Sequence, residues 1–302
     1  MRVLLTNDDG PPSEWSPYLF GFYKHLLQLG YDVKVVIPSA QKSWVGNSFR
    51  ITEVTAGHFY YPTEPDGLTG ETSETARPLK AGEVAEWILL DGTPSTCANV
   101  ALHNLYQDID LVISGPNLGR NTSSAFALSS GTLGAALSAS LSNKRSIAVS
   151  YGTVHRPTPT TYFEPAHLLA CRIIQHLCDN WGEDEGGLRG EVDLYNVNIP
   201  LVEGLLSEEG LQVHKTTMWR NTYGRLFKSV AASVTQTGST HGPLAFKFSP
   251  SMEGLIHPDE SMVPVGSDGY AMFKGWASVT PLRAGFAEPA TNGEGGIFKM
   301  KL

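Results

Sequence analysis

The sequence predicts an α/β protein with a mostly parallel sheet and helices on both faces of that sheet. Within the first 200 residues, short apolar runs alternate with segments whose apolar residues recur at helical spacing, which is the pattern of successive βαβ units. Apolar residues make up 41% of the 302 residues, enough to bury a sizeable core. The chain also contains 31 Gly and 19 Pro, which favour shaped loops between the elements.

The predicted elements follow one another in a regular order. A buried strand at 3–5 leads into a helix for which Ser16 and Pro17 are the expected N-cap and first residue, and Gly30 is the expected end. A second strand at 33–37 completes the first βαβ unit. The remaining predictions are strands at 87–90, 111–114, 147–150 and 192–199, and helices at 93–105, 133–141 and 166–177.

Two polar segments and the last third of the chain depart from this alternation. The segments 59–82 and 182–190 are acidic and are predicted to be surface loops. Beyond residue 200, Gly, Pro and β-branched runs such as Val230–Val234 replace the helical pattern. We therefore expect a core of residues 1–200 and a β-rich hairpin and C-terminal arm of residues 201–302. Apolar strands of this kind need a covering surface, so we expect the arm to pack on the core and on a partner subunit.

Composition excludes several classes of protein. Lys and Arg number 22 against 30 Asp and Glu, a net charge of −8, so there is no basic footprint for a nucleic-acid polymer or an anionic membrane. No apolar run is long enough for a transmembrane helix, and the N-terminus lacks a secretory signal. The three Cys are odd in number and form no CxxC pair, which disfavours disulfide and zinc scaffolds. We expect a cytoplasmic protein.

The first candidate functional cluster is Asn7-Asp8-Asp9-Gly10, directly after the first strand. Two adjacent carboxylates repel each other unless a cation lies between them. Oxygen ligands of this kind suit hard ions such as Mg²⁺, Mn²⁺ or Ca²⁺. The alternative is an ordinary solvated turn, since Asn, Asp and Gly are common turn residues.

Three further polar clusters follow strands or open a helix. They contain Ser43 after the second strand, Gly115 and Asn117 after the strand at 111–114, and Ser130-Gly131-Thr132 at the start of the helix at 133–141. Hydroxyl and amide oxygens can bind a hard cation, and free N–H groups at a helix N-terminus can bind phosphate. Each cluster alone is more often an ordinary loop or a tight turn. Four clusters on one sheet edge together favour a ligand site.

Several common enzyme motifs are absent from the sequence. There is no GxxxxGK[ST] loop, no GxGxxG after a strand and no GxSxG elbow, which argues against a P-loop nucleotidase, a dinucleotide dehydrogenase and an α/β-hydrolase. No HExxH pair occurs either. The helical residues His25, His103, His167 and His176 are therefore expected to be ordinary surface or core groups.

Taken together, these residues resemble the SurE-type metal-dependent nucleotidase/phosphatase family. The resemblance covers nearly the whole chain in order and is most specific in its first half. The matching segments are Leu4–Gly10, Pro38–Ser43, Asp91–Pro94, Ser114–Gly119, Ser130–Ala136, Asn198–Pro200, Trp219–Asn221 and Asp268–Leu282.

The resemblance implies a Rossmann-like doubly wound fold whose C-terminal hairpin and arm are used in oligomerisation, as a homodimer or homotetramer. It implies one Mg²⁺ or Mn²⁺ per subunit and hydrolysis of nucleoside monophosphates at their 5′ or 3′ phosphate. The positive charge that the phosphate needs would then come from the metal and not from Lys or Arg. The implied metal ligands are Asp8, Asp9, Ser43 and Asn117, with Asp8, Asp9 and Asn117 catalytic. The implied phosphate-binding residues are Asn7, Ser43, Gly115, Ser130, Gly131 and Thr132.

Some features depart from the family pattern and leave alternatives open. Pro116 stands where an aliphatic residue is usual, and the insertion at 59–82 is long. The nucleophile is either water or an Asp carboxylate, and the absence of a DxDx[TV] pattern favours water. A broad acid phosphatase, an exopolyphosphatase and a non-catalytic nucleotide-binding protein are the competing functions.

Overall fold

The computed structural model describes residues 1–153, 158–183, 191–230, 244–251, 253–256 and 258–287. The strands are β1 (Arg2–Thr6), β2 (Asp32–Pro38), β3 (Gly57–Pro62), β4 (Gly70–Ser73), β5 (Trp87–Leu90), β6 (Leu111–Leu118), β7 (Arg145–Thr153), β8 (Leu194–Leu201), β9 (Val213–Lys215), β10 (Phe227–Ser229), β11 (Phe246–Phe248) and β12 (Ala277–Leu282). The α-helices are α1 (Leu19–Gln28), α2 (Pro94–Val100), α3 (Ser123–Ser129), α4 (Gly131–Leu141), α5 (Phe163–Asp179), α6 (Glu253–Ile256) and α7 (Asp268–Phe273).

The centre of the main sheet confirms the predicted doubly wound fold. Strands β5, β2, β1, β6, β7 and β8 lie side by side in that order and are all parallel. The chain starts at β1, winds outward through β2 and β5, and then returns to β6 on the other side of β1. Ligands of such sheets bind at the carboxyl ends of the strands where the winding direction reverses. In this molecule that position lies between β1 and β6.

The two edges of the sheet are antiparallel additions. Strands β3 and β4 form a hairpin that pairs with β5, so the prediction of a surface loop at 59–82 was wrong for residues 59–62 and 70–73. The physical reason is burial: Tyr60 and Tyr61 are both buried, and the Tyr60 ring lies 6.2 Å from that of Trp87. The acidic composition of this segment masked the aromatic strand β3 in the sequence, and β3 covers part of the core.

Residues beyond 201 extend the opposite edge. Strand β12 pairs antiparallel with β8, and β9 pairs parallel with β12. Strands β10 and β11 form a separate antiparallel pair. Of the predicted β-branched run 230–234, only Val230 lies within the described residues, and most of the acidic segment 182–190 also lies outside them.

Helices cover both faces of the sheet, as predicted. Helices α1 and α5 pack against each other on one face, and α2 and α4 pack against each other on the other. The largest continuous core lies beneath α1 and α5, with Leu26 and Ile174 fully buried in it. Within the described residues, no helix combines the length and apolar character needed to span a bilayer.

At the two ends of α1, the predicted N-cap was wrong and the predicted C-terminal residue is confirmed. The helix begins at Leu19, and Ser16 does not cap it, because the Ser16 hydroxyl donates to the carbonyl oxygen of Gly10 at 2.9 Å. Gly30 does end the helix, with φ +78° and the Tyr31 N–H bonded back to the Leu26 carbonyl oxygen. This is the Schellman arrangement that favours glycine.

Other elements differ from prediction at their boundaries. Strand β6 continues past Ser114 through Asn117, with a register shift against β7 between these two residues, so the third polar cluster lies within a strand. The helix predicted over 93–105 is α2, capped by Thr93, followed by a π-helical turn at Ala101–Leu105.

Candidate metal and phosphate site

The candidate site begins at the carboxyl end of β1, where Asp8 and Asp9 are 2% and 3% exposed. The preceding Asn7 shapes the turn that presents them. Its Oδ1 accepts from the Gly10 N–H at 3.1 Å, and its Nδ2 donates to the Gly10 carbonyl oxygen at 2.7 Å. The same carbonyl accepts a hydrogen bond from Ser16, so Ser16, which was predicted to cap α1, stabilises this turn instead. Hydrogen bonds from the Asn7 and Ser16 side chains to Gly10 therefore fix the conformation of this turn.

Asp8 lies at the N-terminus of α4. Its Oδ1 accepts from the Thr132 hydroxyl at 2.6 Å, and the N–H groups of Gly131 and Thr132 also donate to its carboxylate. A Cβ on Gly131 would lie 2.7 Å from the Asp8 Cβ, so only glycine permits this approach. The helix dipole stabilises a negative charge at this position. The first turn of α4 therefore binds a protein carboxylate directly.

Asp9 connects β1 to β6. Its Oδ2 accepts from the Leu118 N–H at 2.7 Å, and the Gln41 side chain is a second donor. Burial and the neighbouring charge of Asp8 hold the pKa of Asp9 well above its usual value. Burial also raises the pKa of Asp8, against the hydrogen bond from Thr132. Two buried carboxylates that disfavour each other's charge form a pair that a cation would stabilise.

Two neutral oxygen donors lie beside the carboxylates. The Lys42 N–H donates to the Asp8 backbone carbonyl at 2.7 Å, which attaches the segment just before Ser43 to Asp8. The Asn117 Nδ2 donates to the Gly119 carbonyl at 2.8 Å, so the carbonyl oxygen of this amide is the part that can bind a cation. A cavity of about 520 Å³ is lined by Asp8, Ser43 and Asn117 together with Ser130, whereas Asp9 is not among its lining residues.

The donor set fits a hard divalent cation. It combines carboxylate oxygens with a hydroxyl and an amide oxygen, as Mg²⁺ and Mn²⁺ prefer. Among the described residues there is no group of three or more His, Cys, Asp and Glu side chains that could hold a metal. A site here therefore depends on its neutral oxygens as well as on its two carboxylates.

The remaining predicted residues lie around this centre with different local roles. Asn7 is fully buried in its turn, and Thr132 contacts Asp8. Ser130 caps α4 by accepting from the Leu133 N–H at 3.2 Å. At Gly115 the backbone has φ +121°, and a Cβ would lie 2.1 Å from the Val149 carbonyl oxygen. The structure thus explains Gly115 by its contact with β7, while phosphate binding by these residues stays a prediction.

The cavity is also lined by residues that were not predicted as site residues, among them Trp44, Arg120 and Phe126. Arg120 is positively charged, so the positive charge at the cavity need not come from a metal alone. Its Nη2 donates to the Ile256 carbonyl at 2.9 Å, and burial lowers its pKa, opposed by Asp268. The only sequence signal for Arg120 was its position directly after Gly119.

The helix α3, which carries Phe126, is held by residues far away in sequence. The N–H groups of its first three residues donate to Asp268 Oδ2, the Trp219 carbonyl and Asn221 Oδ1, at 2.8 to 2.9 Å. Asp268 also accepts from the Trp219 and Gly269 N–H groups. These contacts attach the C-terminal third of the chain to one wall of the cavity.

The chain matches a known protein family over most of its length. The sequence profile of the family described as "Survival protein SurE" matches residues 3–225. The chain belongs to the SurE family. All four proposed metal ligands lie within the SurE match, as do Trp44, Arg120 and Phe126.

Named SurE proteins cover most of the chain. A protein named 5'-nucleotidase SurE from Archaeoglobus fulgidus is 28% identical over 94% of this chain and 91% of its own length. One of the same name from Ruegeria pomeroyi is 28% identical over 94% of each chain. The crystal structure of the SurE protein from Aquifex aeolicus superposes with a TM-score of 0.62, at 23% identity and with 95% of each chain covered, which supports the fold.

A longer relative contains the SurE sequence as one part. The protein of Saccharomyces cerevisiae named probable tubulin–tyrosine ligase PBY1 is 32% identical over 95% of this chain. The chain spans 41% of the length of that protein. A SurE unit therefore also occurs joined to additional sequence.

Proposed function

We propose that the protein is a divalent-metal-dependent phosphomonoester hydrolase that releases phosphate from nucleoside monophosphates, as a 5′- or 3′-nucleotidase. The observation that carries the proposal is the pair of adjacent buried carboxylates, Asp8 and Asp9, at the winding reversal of the sheet, where Asp8 lines the same cavity as the oxygen donors Ser43 and Asn117. The names of the SurE relatives from Archaeoglobus fulgidus and Ruegeria pomeroyi support the substrate class.

Asp8, Asp9, Ser43 and Asn117 would hold one Mg²⁺ or Mn²⁺ per subunit. A bound ion of this kind supplies Lewis-acid polarisation of a phosphoryl oxygen and lowers the pKa of a water ligand. Asp8 and Asp9 are suited to this role because Thr132, Gly131 and Leu118 fix their oxygens in place. We propose water as the nucleophile, with the carboxylates as ligands.

The substrate phosphate would lie in the cavity near Ser43, between Asn117 and the first turn of α4. The residues proposed to contact or shape its binding site are Asn7, Ser43, Gly115, Ser130, Gly131 and Thr132. Arg120 lines the same cavity and would add a positive charge on the substrate side. Arg is well suited to phosphate because its guanidinium can donate two parallel hydrogen bonds.

We further propose a cytoplasmic homodimer or homotetramer in which the hairpin and arm of residues 201–302 contact a partner subunit. Exposed apolar side chains on β10 and β11, including Phe227 and Phe246, support a surface that is covered on assembly. None of the three cysteines forms a disulfide, in keeping with a reducing compartment. Analytical ultracentrifugation tests the assembly, and a monomer at micromolar concentration would contradict it.

The test of the activity is phosphate release from a panel of 5′- and 3′-nucleoside monophosphates, sugar phosphates and polyphosphate. EDTA should abolish release, and excess Mn²⁺ or Mg²⁺ should restore it. Asp8→Asn and Asn117→Ala should each lower kcat by about 10³-fold or more, the scale of losing a group that stabilises the transition state. Asp179→Asn, an exposed carboxylate on α5, is the matched control and should be fully active.

Four other results would contradict the proposed site or the proposed activity. Full turnover by Asp8→Asn would refute the assigned site. Equal rates on all phosphomonoesters would indicate a broad phosphatase, and a preference for polyphosphate would indicate an exopolyphosphatase. Metal-dependent binding of a nucleoside monophosphate without product would indicate a binding protein.

A further inference from the structure

Trp44 has an unusual backbone conformation at the edge of the candidate site. It follows the proposed metal ligand Ser43 directly and has φ +63°, in the left-handed region that disfavours residues with a Cβ. Its side chain is half-buried and lines the same cavity as Asp8 and Asn117. Strained backbone of this kind persists where the surroundings enforce it and is common at functional sites.

The Trp44 ring is held by three other aromatic rings. The centroid distances are 5.1 Å to Phe248, 6.0 Å to Phe126 and 6.3 Å to Tyr223, and the interplanar angles are 63°, 65° and 42°. All three contacts are edge-to-face or tilted, and none is a parallel stack. They fix the orientation of the indole without stacking any ring flat on it.

The second ring on the cavity wall, Phe126, is itself held firmly. It lies on α3, whose first N–H groups are bonded to Asp268, Trp219 and Asn221. The guanidinium of Arg120 lies 5.9 Å from the Phe126 ring centroid. One wall of the cavity is therefore aromatic, while Asp8, Ser43 and Asn117 form a polar end.

We propose that Trp44, with Phe126, forms the surface on which the base of a nucleoside monophosphate stacks while its phosphate lies at the polar end. This inference rests on the proposed function and adds the residues that select for a nucleoside. A stacked base contributes on the scale of about tenfold or more in affinity. Stacking reads the ring face and not its edge, so the site should accept different bases.

The test compares two substrates that differ only in the base: adenosine 5′-monophosphate and ribose 5-phosphate, with Mn²⁺ present. For Trp44→Leu we expect kcat/KM to fall about tenfold for the nucleotide, on the scale of one stacked base, and to stay unchanged for ribose 5-phosphate. Phe126→Leu should show the same selective effect, smaller in size. Turnover of ribose 5-phosphate also reports that each variant is folded.

Two control variants separate stacking from general loss of an aromatic side chain. Trp276 is also half-buried and stacks on His214 at 4.3 Å, but it does not line this cavity. Trp276→Leu should therefore leave the ratio of the two kcat/KM values unchanged. Trp44→Phe keeps an aromatic face and should retain most of the preference for the nucleotide.

An equal loss of kcat/KM on both substrates for Trp44→Leu would overturn the stacking role of Trp44. It would not contradict the proposed nucleotidase function. If the wild-type protein hydrolyses neither substrate, the proposed function fails, and calorimetry then decides the inference separately. Tighter binding of the nucleotide than of ribose 5-phosphate, lost in Trp44→Leu, would support it. Equal affinities in the wild type would overturn it.

Discussion

The loops at the carboxyl edge of the parallel strands and the hairpin of β10 and β11 meet at Trp44, but they differ in construction. At this edge Asp8, Asp9 and Thr132 are almost fully buried; the Thr132 hydroxyl donates to Asp8, and the Leu118 N–H donates to Asp9. In the hairpin, Phe227 and Phe246 are 56% and 61% exposed. The loops fix polar groups through hydrogen bonds, whereas the hairpin presents apolar rings, one of which packs against Trp44.

This difference has a physical cause. Buried charged groups need every hydrogen bond satisfied, which forces a single arrangement of the loops. Aromatic contacts are less directional, so the hairpin can hold Trp44 through packing alone. We therefore expect substitutions in the loops and their supporting core to affect folding strongly, and substitutions in the hairpin to affect substrate binding with little effect on stability.

The largest expected effect is that of Gly115→Ala on folding stability. The added Cβ would lie 2.1 Å from the Val149 carbonyl oxygen, at a residue with φ +121°. We expect the free energy of unfolding in urea to fall by about 3 kcal/mol or more, because backbone strain and overpacking add together. Gly30→Ala is the control, since Gly30 has φ +78° but no atom within 4 Å of its Cβ position. It should lose only about 1–2 kcal/mol, and equal losses for both would contradict the steric explanation.

A smaller effect is expected from the buried His167 on α5. Its ring accepts or donates a hydrogen bond with Tyr151 at 3.0 Å, and burial, with a contribution from His25, lowers its pKa to about 3. Between pH 6.5 and about 3 the unfolded chain binds a proton that the folded chain does not, so stability falls as the pH falls. From pH 6.5 to pH 5 this amounts to about 2 kcal/mol.

The measurement is the free energy of unfolding of the wild type and of His167→Gln at pH 7 and pH 5. The variant should lose less stability on acidification, by about 2 kcal/mol. His103→Gln removes an exposed histidine and should behave as the wild type. A wild-type pH dependence that persists in His167→Gln would show that other groups cause it.

The smallest effect is expected in the hairpin, where two phenylalanines on β11 form a matched pair. Phe248 contacts the Trp44 and Phe227 rings, at 5.1 and 5.5 Å, whereas Phe246 has no ring contact among the described residues. Phe248→Ala should raise KM for adenosine 5′-monophosphate about threefold without changing kcat, the scale of one aromatic pair. Phe246→Ala should leave this KM unchanged. A similar rise in KM for both variants would show that the effect comes from the whole hairpin and not from the contact between Phe248 and Trp44.

Much of the site could be predicted because its residues are close in sequence to strand ends. The apolar run before Asp8 predicted β1, and alternation with helices predicted which sheet edge the carboxylates would reach. Gly30 was identified correctly because a Schellman end depends only on local backbone geometry. These predictions rest on interactions between residues a few positions apart.

Other features depended on contacts between distant residues. Ser16 looks like an N-cap in the sequence, but Gly10 lies close enough to accept its hydrogen bond. Asp268 lies 145 residues from Ser123, yet it receives the first N–H group of α3. The strand at Gly57–Pro62 was hidden by acidic composition, because pairing with β5 and burial of Tyr61 outweigh the local polarity.

By itself the sequence determined the α/β class, the succession of strands and helices along the chain and the residues of the polar end, because local periodicity and turn chemistry encode them. The tertiary structure alone decided which aromatic rings hold Trp44 at the cavity. Trp44, Phe126, Tyr223 and Phe248 come from four separate segments, and only folding brings their rings within 6.3 Å of Trp44. No local pattern marks such a cluster, since packing between distant segments, and not propensity, stabilises it.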